Sequence, residues 1–234
     1  MEVSIETIFN GYTLDIAPGT FPLSTDSMAL ADFVRLPRQA RVLDLGSGCG
    51  TIGILLCAKD SGCTVTGIEL DELAHTTALK NAGTNRLQDR LCSICGDLTD
   101  FSAYAAAGSY DVCVSNPPYF TAGFLSRTTP QARHEQTCSL DALMASAAFA
   151  LKYGGDFYLV HKPERLAEIF ASACNHKLEP KRLCLLRHRE NGAVSLVLVQ
   201  CRKGAKPGLI WEEASLYDAH NCPTPFYRQI YHIE

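Results

Sequence analysis

Apolar positions along this chain fall into short runs separated by longer, partly polar stretches. Residues 41–45, 64–69, 91–95, 111–115 and 156–161 are short runs rich in apolar and β-branched residues, and they read as strands. Between them, residues 51–59 stay uncharged until their end, as a helix packed on a sheet does. Residues 71–81 read as an amphipathic helix, residues 139–151 as a helix with Ser139 at its cap, and Pro163 opens another helix in the favoured first-turn position. Ahead of these, residues 3–16 alternate loosely about Asn10-Gly11, a hairpin signal. A short apolar helix then begins at Thr25 or Asp26 and runs to about Val34, with Asp26 suited to cap it. Residues 182–187 and 193–201 read as a terminal antiparallel pair. Strands alternating with helices imply an α/β fold wound by right-handed crossovers, here a mostly parallel seven-stranded sheet with a terminal antiparallel strand. The expected organisation is a hairpin-and-helix extension over residues 1–38, a main domain over 39–206 and a tail over 207–234 packed on that domain.

Composition narrows the class. With 234 residues, 47% hydrophobic and 20% charged, the chain is ordinary globular material for one α/β domain with small additions. No apolar run reaches the roughly 18 residues that span a bilayer. The opening Met-Glu-Val-Ser-Ile-Glu lacks a basic-then-apolar leader, so the chain reads as cytoplasmic. Eleven cysteines, an odd number scattered through expected strands and helices, argue for buried thiols rather than a disulfide framework. Cys92-Ser-Ile-Cys95 has metal-ligand spacing but no second pair at zinc-site distance, so no metal is expected.

The net charge of −4 is unevenly spread: residues 152–206 hold eleven Lys and Arg against five Asp and Glu, a net of +6. Lys181-Arg182, Arg187-His-Arg189 and Arg202-Lys203 carry much of that excess, either as the solvated edge of a sheet or as a face that contacts phosphates.

The first strand runs into Asp44-Leu-Gly46-Ser-Gly48-Cys-Gly50, a turn whose three glycines permit positive φ and close backbone approach to a ligand. The dinucleotide fingerprint is Gly-x-Gly-x-x-Gly; here Thr51 stands where its last glycine would be, and an acid lies two residues before the first. A carboxylate there opposes a pyrophosphate but suits a cofactor with an ammonium and a sulfonium, which favours S-adenosyl-L-methionine (SAM) over NAD. Glu69, 19 residues past Gly50 at the end of the second strand, is placed to take both ribose hydroxyls. Asp97, in Gly96-Asp97-Leu98, is placed to accept from the adenine amino group. Leu70 and Leu98 flank these acids.

Asn116-Pro117-Pro118-Tyr119 follows the apolar run ending at Ser115. An amide oxygen on Asn116 and the carbonyl of Pro117, which has no N–H, can accept from one planar NH2 group. Tyr119 can stack on a planar base or amide. With the glycine turn, these residues suggest methyl transfer to an amino nitrogen, Asn116, Pro117 and Tyr119 forming the reacting site.

This arrangement resembles the Asn-Pro-Pro-Tyr amino-methyltransferases, whose members modify adenine N6, guanine N2 or glutamine N5. Phe21-Pro-Leu-Ser-Thr-Asp26-Ser-Met-Ala-Leu30, the glycine turn, Asn116-Pro-Pro-Tyr-Phe120, Ala132-Arg-His-Glu135, His161-Lys-Pro-Glu-Arg165 and Leu178-Glu-Pro-Lys-Arg182 resemble the bacterial valine-tRNA adenine-N6 methyltransferase family, in its Gram-positive-type branch. The resemblance implies a Rossmann-like SAM-dependent methyltransferase fold, a tRNA partner and methylation of the adenine just 3′ of the anticodon. It also implies that Asp44, Gly46, Gly48, Gly50, Glu69, Leu70, Asp97, Leu98 and Asn116 hold SAM, with Thr25 and Asp26 lining its methionine side. Implied RNA contacts are Arg133, His134, Lys162, Arg165, Lys181 and Arg182, although Arg133 and His134 could instead pair with Glu135.

The enzymatic rival is glutamine-N5 methylation of a release factor; that group carries a separate N-terminal helical domain, and here fewer than 40 residues precede the first sheet strand. A non-catalytic SAM- or RNA-binding module would be signalled by loss of Asn116 or a broken glycine turn, and both are intact.

Overall fold

A computed structural model of the chain describes residues 4–16, 23–104, 106–117 and 139–233. The chain opens with a two-stranded hairpin, β1 (Ser4–Thr7) and β2 (Thr13–Ile16), joined through a 3-10 turn at Phe9–Gly11. Helix α1 (Thr25–Phe33) follows, then β3 (Arg41–Leu45), α2 (Thr51–Lys59), β4 (Thr64–Glu69), α3 (Glu72–Thr84), β5 (Leu91–Cys95) and β6 (Tyr110–Ser115). After these come α4 (Leu140–Ala150), β7 (Leu151–His161), α5 (Leu166–Asn175), β8 (Leu178–Arg189), β9 (Val194–Lys203), β10 (Ile210–Tyr217) and α6 (Pro225–Tyr231).

The main sheet has the order β10-β8-β9-β7-β6-β3-β4-β5. Strands β3 to β7 are mutually parallel, β9 runs antiparallel between β7 and β8, and β10 lies parallel to β8 at the edge. This is the mostly parallel α/β sheet expected, with an eighth strand beyond the seven read from the sequence. That strand comes from the segment expected to be a tail. Strand β7 starts at Leu151, five residues before its expected start, because Leu151 pairs with Tyr110 ahead of an irregularity in the ladder.

Successive residues of the central strands feed opposite cores, as the two-residue period requires. Val42, Val112 and Val114 pack with α1 and α2, whereas Leu43, Leu45 and Cys113 pack with α4 and α5. Full burial of each such side chain contributes about 1.5–3 kcal/mol.

Two local details position the site. The cap of α1 is Ser24, not Asp26: the extended Ser24 accepts the Ser27 N–H on its Oγ at 3.3 Å, and Asp26 falls in the first turn, where a negative charge is favoured. The N-terminal hairpin is held to α3 by amides. Asn81, only 1% exposed, accepts from the Asp15 N–H at 2.8 Å and donates to the carbonyls of Asp15 and Cys49 at 2.9 Å each. Asn85 grips Thr13 in the same way, accepting its N–H at 2.8 Å and donating to its carbonyl at 2.7 Å.

Candidate active site

Parallel strands bring their C-terminal ends to one edge of the sheet, the place where open α/β sheets bind ligands. Leu45 is level with Ile68, Glu69 with Cys95, and Asp44 with Val114. The Ser115 hydroxyl, fully buried, donates to the Leu45 carbonyl at 2.7 Å and ties the end of β6 to the end of β3. The turn and the Asn-Pro-Pro segment therefore leave the sheet side by side.

The glycine turn has the backbone that its sequence implies. Gly46 and Gly48 have φ of 76° and 54°, and a Cβ at either would meet nothing within 4 Å, so the turn faces open space. Beneath it lies Asp44, 1% exposed, with both carboxylate oxygens buried and without a hydrogen-bond partner. Burial first, and the like charge of Glu69 second, push its pKa up to about 8. A small cavity lined by Asp44, Ser47, Gly50, Gly67 and Ser93 adjoins it. Native folds seldom keep a buried carboxyl unsatisfied. A cation beside Asp44 would supply the missing partner, and the open flank of the glycine turn would accept the backbone of a ligand carrying it. The donor set thus fits a cofactor with an ammonium group.

Glu69 already serves the turn: one oxygen accepts the Gly48 N–H at 2.7 Å and the other the Asp71 N–H at 2.8 Å. Each carboxylate oxygen retains a second lone pair for a hydroxyl donor. Leu70, 43% exposed, follows it at the sheet edge. One oxygen of Asp97 accepts from both the N–H and the hydroxyl of Thr99, at 2.8 and 2.7 Å, which fixes the side chain at the start of a 3-10 turn. The Leu98 carbonyl accepts from the Ser146 hydroxyl at 2.7 Å, so α4 anchors this end of the site.

Asn116 stands at the end of β6, and its Nδ2 donates to Ser27 Oγ at 3.1 Å. That contact turns the donor end of the amide toward α1 and its oxygen the opposite way. Thr25, at the head of α1, shares a 2.6 Å hydrogen bond with the Tyr231 hydroxyl from the C-terminal helix. Pro117 follows Asn116 and is half-buried; Tyr119, Arg133 and His134 lie outside the described residues.

Sequence reasoning assigned no role to Ser27, Ser115 or Tyr231, and their contacts with the site span long stretches of chain. Nor did it assign one to His161 at the end of β7. His161 is 2% exposed, and its Nδ1 accepts the Lys162 N–H at 2.8 Å, which puts the ring proton on Nε2. Burial, then the charge of Arg165, holds its pKa below the usual imidazole value.

The basic residues divide. Lys162 and Arg165 follow β7 at the same edge as Asn116, and the Arg165 guanidinium bonds Glu168 twice, at 2.5 and 2.6 Å. Lys181 and Arg182 lie toward the other end of β8. Arg182 stacks 4.2 Å over Phe33 and pairs with Glu212 at 3.0 Å, and the Lys181 amine donates to the Lys206 carbonyl at 3.1 Å. A larger open groove, about 860 Å³, lies here between α1, β8, β10 and α6 rather than at the strand ends. Two of its cations are engaged by the fold: besides Arg182, Lys59 donates to the carbonyls of Ala31, Asp32 and Val34 at 2.6–3.0 Å, closing the end of α1, while Arg35 lines the groove exposed.

Known proteins share this plan. The family described as methyltransferase small domain matches residues 22–173. A tRNA1(Val) (adenine(37)-N6)-methyltransferase of Photobacterium profundum is 26% identical over 196 residues, covering 82% of each chain. One of the same description from Shewanella halifaxensis is 31% identical over 180 residues, covering 75% of this chain and 71% of its own. Among solved structures, a predicted O-methyltransferase from Agrobacterium tumefaciens superposes with a TM-score of 0.75 at 22% identity, over 89% of this chain and 96% of that one, a likeness of fold. With the glycine turn, the buried acid beneath it and the strand-end amide in one edge of this sheet, the chain belongs to the methyltransferase small domain family and is a SAM-dependent methyltransferase.

Proposed function

We propose that the chain methylates the exocyclic N6 of an adenine in a tRNA anticodon loop, the adenine 3′ of the anticodon in a valine tRNA. One observation carries the reading: the Asn116 amide, held by Ser27 at the end of a buried strand, lies one strand from the unpartnered carboxyl of Asp44. The descriptions of the relatives supply the base and the RNA.

SAM, when bound, supplies an electrophilic methyl group on a sulfonium. Asp44 and the turn through Gly46, Gly48 and Gly50 would hold its amino-acid end, with Thr25 and Asp26 alongside. Glu69 and Leu70 would hold the ribose, and Asp97 and Leu98 the adenine.

Asn116 then orients the substrate. Its Oδ1 accepts one N–H of the base, and the Pro117 carbonyl accepts the other. Two acceptors on one NH2 group favour a pyramidal nitrogen with its lone pair directed away from them. Ser27 matters because a flipped amide would oppose two N–H groups to each other. Tyr119 stacks on the base. The amine sheds its proton after transfer, so no strong base is needed, and the rate comes from alignment and electrostatic placement.

The test is transfer of a labelled SAM methyl to unmodified total tRNA, followed by digestion and nucleoside mass spectrometry, with Asn116→Ala as control. N6-methyladenosine formed only by the intact protein supports the reading. Label in protein and none in RNA from the same lysate would move the activity to a glutamine amide.

A further inference from the structure

The C-terminal ends of β8 and β10 lie on the same edge of the sheet as Asn116, because both strands run parallel to the central five. Aromatic rings collect along that edge. His188 contacts Tyr217 with ring centroids 5.2 Å apart, Tyr217 contacts Tyr227 at 5.2 Å, and Tyr227 contacts Tyr231 at 4.5 Å. The rings are tilted by 36–53° rather than stacked flat. His188 is exposed, and the three tyrosines are half-buried against the core. The last ring reaches the site: the Tyr231 hydroxyl bonds Thr25 at 2.6 Å, two residues before the Ser27 that holds Asn116.

Charge follows the rings. Arg189 is the register partner of Tyr217, and Arg228 precedes Tyr231 by one turn of α6. Both are exposed, and among the described residues neither meets a carboxylate, whereas Arg182, Arg187 and Arg202 each do. Half-exposed rings bordered by unpaired guanidinium groups match single-stranded RNA, whose splayed bases stack on aromatic faces while arginines meet the phosphates. A methyltransferase must draw its target base out of the loop, and the neighbouring bases then need a surface to lie on.

We propose that the His188–Tyr217–Tyr227–Tyr231 ladder, with Arg189 and Arg228, is the platform on which the unpaired bases of the substrate loop stack beside the target adenine. The inference rests on the tRNA reading above and moves the RNA contact from Lys181 and Arg182 to the C-terminal segment.

The test measures binding of an unmodified valine-tRNA anticodon hairpin by the full chain across a salt series, with the SAM-induced melting shift as a check on the fold. His188→Ala and Tyr227→Ala are expected to raise the hairpin Kd roughly 5- to 100-fold, the worth of one stacked base. Tyr227→Phe, which keeps the ring, is expected to stay within about twofold. Arg228→Glu is expected to lower the salt slope by about 1. SAM shifts matching the parent chain show that the losses belong to RNA contact. Parent-like hairpin Kd and salt slope in His188→Ala and Arg228→Glu, with methyl transfer to tRNA intact in the parent, would overturn the platform alone. No hairpin binding and no RNA methylation by the parent would overturn the platform and the tRNA reading together.

Discussion

Asp44 and Arg182 stand on the same rung of the sheet, four strands apart, through the pairs Asp44–Val114, Val114–Tyr158, Tyr158–Gln200 and Gln200–Arg182. The fold treats them in opposite ways. Arg182 has an aromatic ring beneath it and a carboxylate beside it, while Asp44 is buried without a hydrogen-bond partner. An ionic group that the fold satisfies is structure. An unsatisfied buried one costs about 1–3 kcal/mol, and under the proposed function the cation of the cofactor completes it. The basic excess that the sequence concentrates in residues 152–206 is largely of the first kind, and the acid before the glycine turn is of the second.

The largest expected effect belongs to Asn116→Ala: turnover on tRNA should fall roughly 10²- to 10³-fold, the scale for losing one preorganised polar contact to a reacting group. Calorimetry should show SAM affinity retained; a parallel loss of affinity would make Asn116 part of the cofactor pocket instead. Next is Asp44→Asn, expected to weaken SAM binding at least tenfold while stabilising the ligand-free protein by about 1–3 kcal/mol near pH 8. The sign follows from the raised pKa. The folded Asp44 holds its proton up to about pH 8 and the unfolded one only to about pH 4, so its contribution to stability drains away as pH rises between them. The Tm advantage of the variant should therefore grow from pH 4 to pH 8 and then level off, and a constant difference would refute the buried charge. Saturating SAM should shrink that stability advantage by at least about 1.4 kcal/mol, the worth of the tenfold difference in affinity.

Ser27→Ala releases the Asn116 amide to flip, and a loss of roughly 5- to 10-fold in kcat with unchanged SAM affinity is expected, about the worth of one hydrogen bond. Smallest is Arg182→Ala, which removes the contacts with Phe33 and Glu212. Denaturant melts should show about 1 kcal/mol of destabilisation, discounted because Glu212 is half-exposed, with methyl transfer per folded molecule unchanged. A selective loss of RNA affinity there would return that end of β8 to the binding surface.

Legibility followed burial. Strands β3 and β4 and helix α2 have the bounds that the hydrophobic pattern gives, because about every other residue in them must face a core. Strand β10 was hidden because it is an edge strand. Ile210 and Trp211 are 71% and 64% exposed, and the strand is held by backbone pairing to β8 and by Glu212 and Glu213 on Arg182 and Arg187. At the candidate site, the strand-end placement of the acids and glycines could be read because it follows from the local sequence. The Ser27–Asn116 bond crosses 89 residues, and no local pattern encodes it. The Tyr231–Thr25 bond crosses 206, so the contribution of the C-terminal helix emerges only when the chain has folded.

One side chain gives the hairpin and the glycine turn a common fate. Asn81 grips the Asp15 backbone with one edge of its amide and the Cys49 carbonyl, inside the turn, with a second N–H. Coupling between two sites is reciprocal. A ligand that quiets the turn is therefore expected to slow hydrogen exchange at the Asp15 amide, and a cut that frees residues 4–16 from α3 is expected to weaken that ligand. The hairpin is thereby a reporter of cofactor occupancy, readable from the far end of a single asparagine.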